Sequence, residues 1–228
     1  MKAQSWPDLF TKSSFYFINK EEELAPEIKK SLLKVIYDKA VDNYHENRKA
    51  DFLLGRLAAS MAHEQCFGEE LLSIPVNKDR SPEWPLNAVG SISHSQHWVG
   101  AAVAKKSDLI GVGIDFEVKE RAKLKLSSHI RSKNDLLSHP KLSESELLTL
   151  IFSSKESLYK ALHPTVKIFF GFHDAALVEI NPDKGTFTLE LLTKLSEEFG
   201  PENRHLFEGR FATDLHSCVT VVEIPHSK

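Results

Sequence analysis

An apolar run in the middle of the chain, Gly111-Val112-Gly113-Ile114-Asp115-Phe116-Glu117, carries two carboxylates. Its composition predicts a strand, and because side chains alternate along a strand, Asp115 and Glu117 project from the same face. Two such carboxylates offer hard oxygen ligands to a divalent cation and leave most of an octahedral Mg²⁺ shell open for water and phosphate oxygens. The simpler alternative is an amphipathic strand with one polar, solvated face.

A second group of charged residues lies downstream, on a predicted helix. Ser143-Glu144-Ser145-Glu146 has the pattern of a capping box, and an apolar stripe then continues until Pro164, where we expect the helix to end. Helical spacing puts Glu156 and Lys160 together on the flank of the stripe, whereas Lys155 points into it and needs a buried partner or a route to solvent. Glu156 and Lys160 are either an i,i+4 surface ion pair or a further carboxylate of the site with a phosphate-binding cation.

Upstream of the central run, residues 75–90 are rich in turn formers and contain Arg80. The strand that follows ends in Ser93 and His94, whose hydroxyl and imidazole groups are suited to donate to phosphate oxygens, although a lone histidine is more often structural. The apolar residues 98–104 predict another strand, and a short polar turn joins it to the central run. We therefore expect these two strands to form an antiparallel hairpin.

The first part of the chain predicts a strand at residues 14–18, a helix beginning near Pro26 and a second helix over residues 46–66. Arg48 and Arg56 lie about two turns apart on the second helix, where they either bind an anion or form a solvated face with acidic neighbours. Four more strands are predicted near the end of the chain, at residues 172–180, 185–192, 206–213 and 217–224. This succession of elements favours two similar α+β halves.

Composition and net charge limit the classes of protein to which this chain can belong. The 228 residues are 41% hydrophobic and 27% charged, which is typical of a globular protein, and the formal net charge of −3 disfavours nucleic-acid binding by the whole chain. Cys66 and Cys218 are far apart and match no zinc-site spacing, so we expect buried free thiols in a reducing compartment. We see no signal peptide and no membrane span, and therefore expect a cytoplasmic protein.

One short stretch departs from the overall acidic balance. Residues 119–133 are mostly basic and directly follow the carboxylate strand; their cations are Lys119, Arg121, Lys123, Lys125, Arg131 and Lys133. Such a stretch is either a solvated loop or a surface that receives an acidic macromolecule near the site.

Together the motifs resemble the 4'-phosphopantetheinyl transferases, specifically the large, monomeric Sfp-like class and within it the enterobactin-synthase component D subgroup. The resemblance rests on Gly55-Arg56, Arg80 with Pro82 and Trp84-Pro85, Gly90-Ser91-Ile92-Ser93-His94, Gly113-Ile114-Asp115-Phe116-Glu117, and Phe152-Ser153-Ser154-Lys155-Glu156-Ser157-Leu158-Tyr159-Lys160. Phe116 and Phe152 stand where the subgroup commonly has isoleucine and tryptophan, and both are apolar exchanges.

The resemblance implies an α+β pseudo-dimer whose two similar halves hold coenzyme A and Mg²⁺ in the cleft between them. We assign residues 1–108 to an N-terminal half that contacts the nucleotide side of coenzyme A. Residues 109–228 then form a C-terminal half with the metal and pyrophosphate site.

The resemblance also implies the roles of single residues. Asp115, Glu117 and Glu156 look like the Mg²⁺ ligands, and Glu156 and Lys160 like the catalytic pair, with Lys160 on the pyrophosphate. Ser93 and His94 look like contacts to the 3'-phosphate side. The coenzyme A-binding set implied in this way is Arg48, Arg56, Arg80, Ser93, His94, Asp115, Lys155 and Lys160.

The implied activity is transfer of 4'-phosphopantetheine from coenzyme A to a serine of an acyl or peptidyl carrier protein, with release of adenosine 3',5'-bisphosphate. The carrier belongs to siderophore, nonribosomal peptide, polyketide or lipid synthesis, and an acidic carrier is expected to dock on residues 119–133. Two alternatives stay open: another Mg²⁺-dependent enzyme of nucleotide pyrophosphates, and a non-catalytic module that binds coenzyme A.

Overall fold

The computed structural model describes residues 6, 9–23, 45–71, 73–119 and 124–227. Its elements are β1 (Ser14–Asn19), α1 (Glu46–Phe67), β2 (Ala88–His94), β3 (Trp98–Lys105), β4 (Leu109–Val118), α2 (Ser127–Ile130), α3 (Glu144–Val166), β5 (Ala175–Asn181), β6 (Thr186–Leu191), β7 (Leu206–Thr213) and β8 (Ser217–Pro225). The predicted α+β class is confirmed. The helix expected to begin near Pro26 falls outside the described residues.

The strands form two antiparallel sheets. The first has the order β1-β3-β2, and the second has the order β4-β8-β7-β6-β5. Helix α1 packs on β1 and β3, and helix α3 packs on β4 and β8. Each half thus has one long helix on an antiparallel sheet, although the sheets differ in strand number. The boundary between residues 108 and 109 stays a prediction.

The expected hairpin of the two central strands is wrong. β3 pairs with β1 and β2, whereas β4 pairs with β8, so the short turn between β3 and β4 carries the chain from one sheet to the other. The two strands touch through side chains instead: Trp98 and Ala102 of β3 share an apolar cluster with Ile114 and Phe116 of β4. Burial of these side chains between the sheets replaces the backbone ladder that a hairpin would have formed.

The two sheets are joined by side-chain hydrogen bonds between β2 and β4. The backbone N–H groups of Ile114 and Phe116 donate to the hydroxyls of Ser91 and Ser93, each at 3.1 Å. The serine hydroxyls thereby accept hydrogen bonds from N–H groups on the edge of β4, in place of the carbonyls of a paired strand. Ser93 is consequently held at the junction, one residue from the end of its own strand.

Two glycines let α3 approach β4 closely. A Cβ atom on Gly111 would lie 2.1 Å from the carbonyl oxygen of Ala161, and one on Gly113 would lie 1.9 Å from that of Ser157. No side chain fits at either position, so the helix backbone rests on the strand. Asp115 and Glu117 continue the same face of β4, and are therefore directed towards α3.

The ends of α3 explain its length. The predicted capping box is confirmed, since the Ser143 hydroxyl accepts from the Glu146 N–H at 3.1 Å and the Glu146 carboxylate accepts from the Ser143 N–H at 3.0 Å. The expected end at Pro164 is wrong by two residues. Pro164 lies inside the last turn, and the helix ends at Val166 with Lys167 in the left-handed conformation, because a proline near the end removes only one helical hydrogen bond.

The last predicted strands are present as β5 to β8. The first begins at Ala175 and not at Phe172, because Phe172–Asp174 form a 3₁₀ turn that the Asp174 carboxylate closes on the Gly171 N–H at 2.8 Å. No helix in the described part of the chain has the length and apolar character needed to cross a membrane.

Candidate active site

Asp115 and Glu117 are buried acids at the junction of the two halves. Asp115 is 4% exposed and Glu117 is 7% exposed. Their cross-strand neighbours on β8 are Thr220 and Cys218, which share the face that α3 covers. Burial of two ionisable carboxylates so close together is unfavourable unless cations or donors compensate them. The arrangement therefore indicates a site that binds positive charge.

The two oxygens of the Asp115 carboxylate have different surroundings. Oδ1 accepts from the Lys160 ammonium at 2.6 Å and from the Ser93 hydroxyl at 3.1 Å. Oδ2 is buried, and within the described ranges it accepts no hydrogen bond. A buried carboxylate oxygen without a donor is costly, and a bound cation is one way to compensate it.

Lys160 reaches across from α3 to the N-terminal half. Its ammonium donates to Asp115, to the Ser93 hydroxyl at 3.2 Å and to the Ile114 carbonyl at 3.1 Å. The simple i,i+4 ion pair between Glu156 and Lys160 is not formed. The Lys160 side chain remains about a quarter exposed, so phosphate oxygens can reach it without unfolding of the helix.

Glu156 lies one helical turn before Lys160 and is partly buried. It makes no hydrogen bond or ion pair with any residue that the structure describes. Burial raises the pKa of the Glu156 carboxyl, Lys160 lowers this pKa, and the charge of Asp115 raises it again. The net effect is a raised pKa, and Glu156 is thus an available carboxylate whose pKa depends on burial, on Lys160 and on Asp115.

The acids fit a hard divalent cation that takes much of its coordination from elsewhere. No three acidic, histidine or cysteine side chains among the described residues come together as a complete metal cage. The uncompensated Oδ2 of Asp115, beside buried Glu117 and available Glu156, nevertheless supplies carboxylate oxygens of the kind that Mg²⁺ prefers. A Mg²⁺ ion that shares its shell with water and phosphate needs no protein cage.

Ser93 is committed to this junction. Its hydroxyl donates to Asp115, accepts from the Phe116 N–H and accepts from Lys160. Its side chain is buried, so the structure places it among the acids. The predicted contact of Ser93 with the 3'-phosphate side would require this hydroxyl to give up its present partners.

His94 projects from the opposite face of β2 to Ser93, where Asp51 and the cations Lys20 and Arg48 are near it. Its side chain is 48% exposed, and its Nδ1 lies 3.5 Å from Asp51. Lys20 also contacts Asp51, at 2.6 Å. Partial burial lowers the pKa of the His94 imidazole, Asp51 raises it, and the cations Lys160, Lys20 and Arg48 lower it further.

Lys20 and Asp51 were missed by the sequence reasoning. Lys20 follows β1 directly, and Asp51, which lies on α1, is 31 positions further along the chain. From the sequence, Asp51 is only one of the acidic neighbours expected beside Arg48 and Arg56. No local pattern brings these residues together, since their contact depends on the packing of α1 against β1 and β3.

The three predicted arginines do not form one group. Arg56 is buried, its Nε donates to the Ile74 carbonyl at 2.7 Å, and its guanidinium lies 4.3 Å above the Phe52 ring. Arg80 is exposed, in a turn where its φ is 68°. Arg48 is exposed on the first turn of α1 and is near enough to His94 to affect the imidazole pKa. Only Arg48 is brought towards the other candidates.

Lys155 points inward, as its position in the apolar stripe predicts, and it has a buried partner. Its ammonium donates to Asp135 at 2.5 Å, to the Ile130 carbonyl at 3.0 Å and to the Phe172 carbonyl at 2.8 Å. Burial lowers the pKa of Lys155, and the charge of Asp135 opposes this effect. All three N–H groups are used by the protein, and the side chain is only 3% exposed. The structure therefore provides no free donor from Lys155 to coenzyme A.

The basic stretch is described in part. Lys119 pairs with Glu146 at 3.4 Å, and Lys125 and Lys133 are exposed. Arg131 turns back to donate to the Leu136 carbonyl. Residues 120–123 lie outside the described ranges, so two of the basic residues expected to contact a partner, Arg121 and Lys123, have no structural account.

A cavity of about 770 Å³ lies away from this site. Its lining comes from residues 9–12 and from parts of β5, β6, β7 and β8. Its lining includes Glu179, Arg210 and Glu223 but none of the acids that face α3. Volume alone therefore does not locate the chemistry in this chain.

Comparison with known proteins covers both halves of the chain. A model of the 4'-phosphopantetheinyl transferase N-terminal domain matches residues 37–104, and a model of the 4'-phosphopantetheinyl transferase superfamily matches residues 111–213. The two matches lie on either side of the turn that joins the sheets.

Curated relatives have the same family name. The chain is 34% identical over 149 residues to the 4'-phosphopantetheinyl transferase Svp of Streptomyces mobaraensis, a match covering 63% of this chain and 59% of the relative. It is 29% identical over 180 residues to the transferase Npt of Nocardia iowensis, covering 73% and 78%. It is 31% identical over 137 residues to enterobactin synthase component D of Salmonella typhi, covering 59% and 56%.

The aligned parts thus span between about half and four fifths of these relatives. The predicted resemblance is confirmed by the family models in both halves and by the names of the relatives, including enterobactin synthase component D. This chain belongs to the 4'-phosphopantetheinyl transferase superfamily and is of the Sfp-like type.

Proposed function

We propose that this chain transfers the 4'-phosphopantetheine group of coenzyme A to a serine of an acyl or peptidyl carrier protein. The supporting observation is the contact among Lys160, Asp115 and Ser93 where the two halves meet, next to the uncompensated oxygen of Asp115. This contact joins a cation, a carboxylate and a hydroxyl from three different elements at one point. Membership of the family supplies the substrate class.

Asp115, Glu117 and Glu156 are the residues we assign to hold Mg²⁺. When bound, Mg²⁺ offsets the charge of the pyrophosphate and of the leaving group. Glu117 and Asp115 are fixed by the strand, whereas Glu156 is supplied by the helix. The distance between Glu156 and the two strand acids therefore depends on how closely α3 packs against Gly111 and Gly113.

Lys160 is placed to meet the pyrophosphate as a point charge. Its present contacts hold the ammonium at the site before substrate arrives, and its partial exposure leaves it accessible. Positioning and charge stabilisation are the main protein contributions to phosphoryl transfer, because the protein need form no covalent intermediate.

The serine hydroxyl of the carrier attacks the β-phosphorus of coenzyme A. An oxygen–phosphorus bond forms to the serine, and the bond from that phosphorus to the bridging oxygen breaks, so adenosine 3',5'-bisphosphate leaves. Glu156, or a water that it holds, accepts the serine proton. Its carboxylate accepts no hydrogen bond from the residues that the structure describes, which leaves it available for this role.

His94 and Arg48 are the contacts that we retain for the nucleotide phosphate, and Lys20 joins them. Asp51 sets the position of Lys20 and faces His94. We assign Ser93 to ordering Asp115 and Lys160, and we leave Lys155 out of the coenzyme A contacts. We do not retain Arg56, whose Nε donates to the Ile74 carbonyl, or Arg80, which lies in an exposed turn, as coenzyme A contacts.

The carrier is proposed to be acidic and to dock on the basic stretch of residues 119–133, in which Lys125 and Lys133 face solvent. Carriers of siderophore, nonribosomal peptide, polyketide or lipid synthesis are the candidate substrates. We also propose that the chain acts as a monomer.

The test is the intact mass of purified apo carrier domains after incubation with the protein, coenzyme A and Mg²⁺. A phosphopantetheine-sized gain that is lost with EDTA and with Glu156→Gln supports the transferase. No gain on peptidyl, polyketide or fatty-acid carriers contradicts it. Turnover of coenzyme A without a modified carrier would instead favour another pyrophosphate enzyme, and binding without turnover would favour a coenzyme A module.

A further inference from the structure

A buried ion pair lies behind the basic stretch and takes no part in the proposed chemistry. Lys155 is 3% exposed and Asp135 is fully buried, and their charged atoms lie 2.5 Å apart. Asp135 also accepts from the Ser132 N–H at 2.6 Å and, through its other oxygen, from the Leu177 N–H at 2.6 Å. The carboxylate thus joins the chain after α2 both to α3 and to β5.

The ammonium makes the complementary set of connections. Besides Asp135, Lys155 donates to the carbonyls of Ile130 and Phe172. Every donor of the lysine and both oxygens of the aspartate are used, so the pair is satisfied without water. Buried pairs of this kind are often no more stabilising than apolar side chains of the same volume. The pair is therefore better explained by the conformation that it fixes than by the stability that it adds.

Residues 124–138 lie on the surface apart from a few anchor points. Ile130, Ser132 and Asp135 are the buried residues among these fifteen, and Lys125, Lys133 and Leu137 are exposed. Each of the three buried residues belongs to the network around Lys155, through a carbonyl, an N–H and a carboxylate respectively. The Lys155–Asp135 pair thus includes or bonds to every buried residue of the segment.

The same helix carries the chemistry. Lys155 directly precedes Glu156 in α3, and the two side chains leave the helix about 100° apart. A segment fixed to Lys155 is therefore held at a constant position relative to Glu156. Loosening the segment would move its exposed lysines with respect to the acids, while the acids would stay on β4 and α3.

We propose that Asp135, acting through Lys155, is a positioning residue that holds residues 124–138 against α3 and so orients the surface that receives the acidic carrier protein. The inference rests on the proposed function for the identity of the partner. Asp135 itself touches neither coenzyme A nor carrier. It acts on carrier recognition and not on the chemical step.

The experiment compares Asp135→Asn with a double variant, Lys155→Met with Asp135→Leu, which removes both charges and leaves no buried charge unpaired. The matched control is Asp183→Asn, which breaks the exposed Lys141–Asp183 pair in the same half. Hydrogen exchange of residues 124–138 and affinity for an apo carrier whose acceptor serine is replaced by alanine are both measured. Neither reading depends on transfer.

We expect both Asp135 variants to exchange faster in residues 124–138 and to bind the carrier about fivefold or more weakly, with coenzyme A affinity within about twofold of the parent. In turnover the loss should appear in KM for the carrier and not in kcat. The Asp183 control should change neither reading.

Unchanged hydrogen exchange of residues 124–138 in the folded double variant would contradict the proposal that the Lys155–Asp135 pair holds this segment. Faster exchange with unchanged carrier affinity would overturn its role in recognition. A parent that binds the carrier but transfers nothing would contradict the proposed transferase while leaving these comparisons valid. A parent that binds no carrier would overturn both the partner assignment and this inference.

Discussion

Glu156 combines two tasks in one carboxylate, since it is assigned both to the metal and to the serine proton. It has no competing partner among the described side chains. Burial raises the pKa of its carboxyl, Lys160 lowers this pKa, and Asp115 raises it. Replacement by glutamine keeps the shape of the side chain and removes both functions. The effect should therefore be seen in turnover and not in folding.

For Glu156→Gln we expect kcat to fall about a hundredfold or more, because a general base and a ligand are lost together. Carrier modification is followed by intact mass, and the unfolding temperature is recorded in parallel. Glu144→Gln is the matched control, since Glu144 is an exposed acid on the first turn of the same helix. A Glu156→Gln variant with parental turnover would exclude this residue from the mechanism.

Ser93 should affect both stability and activity. Ser93→Ala leaves the buried N–H of Phe116 without an acceptor and frees Asp115 and Lys160 from a shared partner. We expect the free energy of unfolding to fall by about 1–3 kcal/mol. Urea unfolding measures this loss, with Ser107→Ala, an exposed serine in a turn, as the control. An effect no larger than that of the control would contradict the junction role of Ser93.

At the scale of elements, the approach of α3 to β4 decides where Glu156 lies relative to Asp115. Gly113 is the point of closest approach, because an added Cβ would overlap the Ser157 carbonyl. Backbone cannot rotate out of the way as a flexible side chain can. The helix must therefore shift if this position carries any side chain.

Gly113→Ala should reduce the free energy of unfolding by about 1–3 kcal/mol through overpacking. It should also raise the Mg²⁺ concentration needed for half-maximal transfer, since Glu156 moves away from the strand acids. Gly171→Ala is the control, because the nearest atom to its added Cβ is 3.9 Å away and its φ is −109°. Parental stability and Mg²⁺ dependence in Gly113→Ala would contradict the close contact.

At the scale of the whole molecule, Glu223 of β8 ties the start of the chain to the second sheet. Its carboxylate accepts from the backbone N–H groups of Thr11, Lys12 and Ser13 and from two of their hydroxyls. Partial burial raises the pKa of Glu223, but the hydrogen bonds from Ser13, Thr11 and Lys12 lower it by more, so the pKa lies below its ordinary value.

A carboxylate with a lowered pKa in the folded state contributes stability above its unfolded pKa, about 4.3, and loses that contribution as pH falls through the folded value. Glu223→Gln should therefore cost about 1–3 kcal/mol at neutral pH and much less in acid. Urea unfolding at several pH values checks this, with Glu202→Gln, an exposed acid, as the control. An equal loss at neutral and acid pH would contradict the ionised contact.

Much of the site was readable from the sequence, since alternation puts Asp115 and Glu117 on one face and helical spacing puts Glu156 and Lys160 on one flank. The inward direction of Lys155 was also predictable, but its partner was not. Asp135 lies 20 residues away beyond a loop, and the resemblance placed Lys155 with coenzyme A instead. For the same reason Lys20 was absent from the prediction and Asp51 was expected only as an acidic neighbour of the arginines.

The sequence by itself determined most of the described secondary structure and the shared strand face of Asp115 and Glu117, because periodicity, capping and alternation act over a few residues. Only the tertiary structure decided which strands pair, and it separated β3 from β4 although a short turn joins them. It also decided that Lys160 bonds to Asp115 and that Lys155 bonds to Asp135. These choices depend on burial and on charge compensation between distant segments, and no local pattern encodes which buried groups will meet.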